Sequence, residues 1–153
     1  MHGRGRGEQI SVAHRLVGPT IMQRLSHVQY VAGVDPVFAG ISDQEDIADG
    51  RSYRTTAACY YPEHLIGPRD RRVTTIVMPS PEPGWLGVQT VVHELGHALD
   101  EVTRFEHVAA PVSEYAKTNR REAFAEAFTS WVWDGDHTVD AATLALFRSL
   151  VRA

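Results

Sequence analysis

What the chain has little of narrows it first. It carries one cysteine, Cys59, so no disulfide can close within it. A lone thiol suits a reducing compartment, and the cytoplasm is the default expectation. No run approaches the ~18 consecutive apolar residues of a membrane span, and the first residues lack the apolar stretch of a secretory signal. Basic residues are not in excess: 15 Lys and Arg face 19 Asp and Glu, a net charge of −4. That balance gives no electrostatic footing for nucleic acid or an anionic membrane surface. Internal repeats are absent.

What is present suits one domain. The 153 residues are 43% hydrophobic and 22% charged, ordinary for a globular chain with a single core. Residues 1–9, rich in Gly and Arg, read as a flexible tail, and 10–153 as the domain. Residues 20–26, after Gly18-Pro19, read as a short helix. Three runs read as strands: 27–34, 52–61 and 73–78, the last (VTTIVM) stopped by Pro79. The acidic group Asp43, Glu45, Asp46 and Asp49 reads as a solvated surface, and 67–72 (GPRDRR) as a turn with a basic rim. Trp85 reads as a packing residue ahead of a helix over 88–103. Helices follow over 119–133 and 138–151. Strands ahead of helices predict an α+β fold, with a small twisted sheet packed on the first long helix.

That helix contains His93-Glu94-Leu95-Gly96-His97, an H-E-x-x-H motif. Four residues apart on a helix, the two rings leave one face about a turn apart and can bind one metal ion, typically Zn2+. Glu94 lies roughly 100° further round, beside the open metal position, where it can serve as general base. Val91, Leu95, Ala98, Leu99 and Val102 form an apolar stripe on the opposite side. Asp100 returns to the histidine side and could orient a ligand ring by hydrogen bonding. Gly96 costs helix stability, about 1 kcal/mol against alanine, and close approach of another backbone would be its reason. The same spacing also occurs in buried amphipathic helices with solvated histidines.

A zinc enzyme commonly uses three protein ligands and keeps a fourth position for water. The longer form with a third histidine is absent, since position 100 is Asp and position 103 is Thr. The next helix places Glu122 and Glu126 at i, i+4, like charges that repel unless a cation justifies them. The spacing alone does not choose between them. Asn119 and Glu122 also form a capping pair. His64, His107 and His137 are rival ligands without matching spacing.

Two stretches carry a resemblance. H-E-x-G-H-x-x-D over 93–100 and S-x-Y-A-x-T-N-x-x-E-x-F-A-E-A-F over 113–128 together resemble the family of the anthrax lethal factor catalytic domain and the Pro-Pro endopeptidases, which are gluzincin metallopeptidases. The resemblance implies His93, His97 and Glu122 as zinc ligands and Glu94 as general base. It also implies Glu126 as a carboxylate supporting a ligand and Tyr115 as oxyanion donor. The expected function is zinc-dependent hydrolysis of peptide bonds. The peptide or protein substrate would lie extended along a sheet edge formed by Thr55, Thr56, Ala57, Ala58, Cys59, Tyr60 and Tyr61. The alternative is a binding or assembly module that keeps zinc without catalysis. Oligomeric state is not encoded in any of these features.

Overall fold

A computed structural model describes residues 6–32, 59–61, 75–78 and 84–152. Helix α1 spans Arg6–Val17 and α2 spans Pro19–Arg24. Between them Gly18 has φ 94°, a left-handed turn that glycine adopts without steric cost. Its N–H bonds to the His14 carbonyl, closing α1, and Pro19 opens α2 with its pre-set φ. Helix α1 takes in residues 6–9 of the expected tail. Gln9 there is buried, its amide lying against Gly87. Residues 20–26 were expected as helix, and α2 covers most of them.

Strand β1 (Gln29–Ala32) runs parallel to β3 (Thr75–Met78), and β2 (Cys59–Tyr61) runs antiparallel to β3, in the order β1-β3-β2. Each strand is only three or four residues long. Helix α3 spans Gly84–Val102, α4 spans Arg120–Asp134 and α5 spans Ala141–Val151. Single 3₁₀ turns occupy Tyr115–Lys117 and Asp136–Thr138.

The expected α+β architecture is therefore corrected. Helices dominate the described residues, and the domain is bundle-like. Helix α3 lies chiefly against α4 and α1, not on a twisted sheet. The physical reason is where the apolar stripe finds cover. Val91, Leu95, Ala98 and Leu99 are fully buried in a core shared with Val12 and Ala13 of α1 and with Phe124, Ala127 and Phe128 of α4. Among the described residues, strand pairing covers three or four positions, and Ile76 joins the core. Val102, expected in the stripe, is exposed at the helix end.

Local signals set the later helices. Asn119 is extended (φ −165°, ψ 174°), and its side chain accepts from the Glu122 N–H at 2.9 Å, capping α4. Gly135, at φ 105°, ends α4 through its N–H to the Trp131 carbonyl. Asp140 caps α5 by accepting from the Thr143 N–H. Phe147 of α5 meets Phe124 and Phe128 edge-on, with ring centroids 5.7 and 5.6 Å apart. Three fully buried phenylalanines contribute ~1.5–3 kcal/mol each from burial.

Gly96 has the expected reason. A Cβ there would stand 3.0 Å from the Ala125 Cα and 3.2 Å from its carbonyl oxygen. Backbone thus meets backbone where α3 and α4 cross. Among the described residues, no helix is long and apolar enough to cross a membrane. The acidic group at 43–49, the basic turn at 67–72 and the strand positions before Cys59 lie outside the described residues.

Candidate metal centre

The α3–α4 crossing brings the two motif stretches face to face. Nε2 of His93 and Nε2 of His97 stand 3.0 and 2.9 Å from the same Glu122 oxygen, Oε1. The rings meet edge-on, with centroids 4.9 Å apart. On the far side of the first ring, His93 Nδ1 lies 2.9 Å from Glu126 Oε2. The other oxygen of Glu126 accepts from the Ser113 hydroxyl at 2.8 Å, and that hydroxyl in turn accepts from the Ala116 N–H. Glu94 is buried beside the rings, and His93, Glu94 and His97 offer ligand atoms all within 4.8 Å of one another. This group could hold a metal ion. The carboxylate that stands between the two rings, however, belongs to Glu122 rather than Glu94.

The hydrogen-bond logic of His93 tests the fit. A neutral ring has one N–H, yet both of its nitrogens face carboxylate oxygens. Burial opposes a charge on this ring. The hydrogen bonds to Glu122 and Glu126 and the charge of Glu94 outweigh it and raise the pKa to about 10. Burial likewise opposes ionisation of Glu122, but its bonds to His93 and His97 hold its carboxyl well below the usual range. Glu126 is also held low, first by its bond to His93. Three carboxylates thus surround two imidazoles, and a proton on Nε2 of His93 supplies positive charge where a metal ion would supply more. The donor set of two imidazoles and a carboxylate suits such an ion.

A cleft of about 400 Å³ opens onto this group. His93, Glu94, Tyr115 and Glu126 line it, together with Leu86 and Trp133. The Tyr115 ring lies 5.9 Å from that of His93, placed there by the 3₁₀ turn Tyr115–Lys117. Trp85, expected to pack, is half exposed and meets Trp133 edge-on at 5.6 Å.

The Asp100 carboxylate is fully buried and accepts two bonds from Arg120, at 3.0 and 2.7 Å. Desolvation raises the pKa of Asp100 even though the Arg120 guanidinium opposes the rise. His107 turns away to the Thr143 hydroxyl at 2.8 Å, its ring against Phe124. His137 is exposed, and His64 lies outside the described residues. Of the expected substrate edge, Cys59, Tyr60 and Tyr61 form β2 at one side of the sheet; Thr55, Thr56, Ala57 and Ala58 lie outside the described residues.

Two residues were not foreseen. Ser113 opens the second quoted stretch, but nothing in its type marks it as a partner of Glu126. Arg120 pairs across twenty positions and leaves no local pattern.

No family model, curated protein or solved structure matches the chain.

Proposed function

We propose that the chain is a zinc metallopeptidase with a gluzincin-type ligand set, His93, His97 and Glu122. The observation that carries this reading is the convergence of both Nε2 atoms on one Glu122 oxygen, at 3.0 and 2.9 Å, beside an open cleft. Zinc, when bound, polarises a peptide carbonyl and acidifies a water. Glu94, on the cleft wall, would take the proton of the attacking water and pass it to the leaving amine. Tyr115, which also lines the cleft, would donate its phenol to the oxygen that gains negative charge. Glu126 would hold His93 in the tautomer that leaves Nε2 free to ligate, its own position fixed by Ser113. The substrate is an extended peptide in the cleft, with β2 as the backbone edge it could pair with.

A zinc-holding assembly module is the competing reading. The open cleft favours catalysis, because a structural zinc site closes its fourth position with protein. Incubation of the zinc-loaded protein with a peptide library, with and without a chelator, tests the proposal. Cleavage that the chelator abolishes, and that Glu94→Ala lacks while retaining zinc, is the expected result. Stoichiometric zinc with no cleavage of any peptide would support the module instead.

A further inference from the structure

We propose that Asp100 and Arg120 form a positioning fork that sets the angle of Glu122 against the two histidine rings; this rests on reading the crossing as a metal centre. Asp100 lies three residues after His97 on α3, and Arg120 lies two residues before Glu122 in the first turn of α4. The fork therefore ties together the two helix segments that deliver the ligands. Its bonds are 3.0 Å (Nη1 to Oδ1) and 2.7 Å (Nη2 to Oδ2), two parallel contacts that fix orientation as well as distance. Gly96 against Ala125 and the shared apolar core set how closely the helices approach. The fork adds a directional contact between the two ligand-bearing segments.

The intervening loop is shaped to serve the same guanidinium. Arg104 and Phe105 take left-handed conformations, φ 65° and 57°, without the glycine that such positions favour. Bonds from the Phe105 N–H and the Thr103 hydroxyl to the Asp100 carbonyl hold this turn. The chain then reverses so that the His107 carbonyl accepts from Arg120 Nη1 at 2.6 Å. The Phe105 ring lies under Arg121 at 4.5 Å and near Arg120 at 5.9 Å. Arg120 is thus gripped by α3 and by the loop at once.

A buried ion pair is weak evidence of stability, because desolvation cancels much of its attraction. An apolar pair would hold these helices as well. What the planar fork adds is a defined angle, which lysine cannot reproduce. Glu122 must meet two rings with one oxygen, and that geometry tolerates little rotation.

The test measures zinc affinity by chelator competition, together with thermal unfolding of the metal-free protein. The variants are Arg120→Lys, which keeps the charge and loses the fork, and the neutral pair Asp100→Asn/Arg120→Gln, which leaves no orphaned buried charge. Both variants should bind zinc ~10–100-fold more weakly than the wild type, the usual cost of losing a group that supports a ligand. Their cobalt-loaded spectra should also depart from the wild type. A merely structural role would lower the unfolding temperature and leave the affinity of the folded chain unchanged, and that result overturns the fork while the metal centre stands. A wild-type chain that binds no zinc overturns the metal centre and the fork with it.

Discussion

Helix α4 has two faces, and they are held by opposite means. Toward α5 it presents Phe124 and Phe128, fully buried against Phe147 and the tilted Trp131 ring. Toward α3 it presents Glu122 and Glu126, like charges one turn apart that repel on a bare helix. The aromatic face gains from burial itself and would tolerate small rotations. The acidic face gains nothing from burial; among the described residues, the histidines of α3 and the Ser113 hydroxyl offset its charges. One face explains why the helix packs where it does, and the other carries the proposed metal centre.

The largest stability effect should come from the aromatic face. Phe147→Ala is expected to cost ~3–5 kcal/mol, as a fully buried phenylalanine leaves a cavity among Phe124, Phe128 and Trp131. Denaturant unfolding measures the loss, and zinc affinity of the folded variant should not change. If affinity fell as steeply as stability, the two faces would not be separable.

Beside the acidic face, Tyr115→Phe should leave fold and zinc intact and lower kcat by ~10²-fold, the scale of one lost oxyanion donor. Steady-state kinetics on a cleaved peptide decides it. A change confined to KM would make Tyr115 a substrate-binding group only.

Gly96→Ala probes the contact both faces depend on. The new methyl would press on the Ala125 backbone at 3.0 Å, where no flexible side-chain tip can yield. We expect a loss of ~1–3 kcal/mol from overpacking, despite the gain in helix propensity. Thermal unfolding of the variant checks the sign, and a rise in stability would mean that the crossing has slack.

The smallest effect belongs to the α5 cap. The Asp140 carboxyl is held below its usual value: burial works against this, but bonds from the Thr143 hydroxyl and from the Ala110 and Thr143 N–H groups prevail. A depressed carboxylate stabilises the fold above its ordinary unfolded pKa, and the contribution is lost as pH falls through the folded value. Asp140→Ala should cost ~1 kcal/mol at neutral pH. Its unfolding temperature should also fall less steeply than the wild type's on acidification. Identical acid profiles would remove Asp140 from the account.

The same contrast explains what could be read in the sequence. The α3 helix, its buried stripe, the Asn119 cap and the acidic pair were legible because each is written within one or two turns. Gly96 was legible as an exception, a costly residue in an otherwise favourable helix, and the close approach of Ala125 accounts for it. Helix α1 was read as tail over residues 6–9 because Gly and Arg dominate there, and tertiary burial of Gln9 and Ala13 overrides that composition. The α+β expectation failed because the apolar stripe of α3 is covered by α1 and α4, a tertiary choice that no local pattern shows. Among the described residues, helices set the layers. Arg120 and Ser113 were illegible because their partners lie 20 and 13 positions away, across a turn at Arg104 and Phe105 that no glycine announces.

The central claim is that the α3–α4 crossing binds zinc through His93, His97 and Glu122, with Glu126 supporting His93 from behind. Chelator-competition titration of Glu122→Gln and Glu126→Gln beside the wild type tests it most directly. Glu122→Gln should lose most of its zinc affinity, because the oxygen shared by both rings is replaced by an amide. Glu126→Gln should stay loaded with affinity weakened by ~10–100-fold. An emptied site in Glu126→Gln alongside a loaded Glu122→Gln would reverse the assignment, and a wild-type chain that takes up no zinc would contradict it altogether.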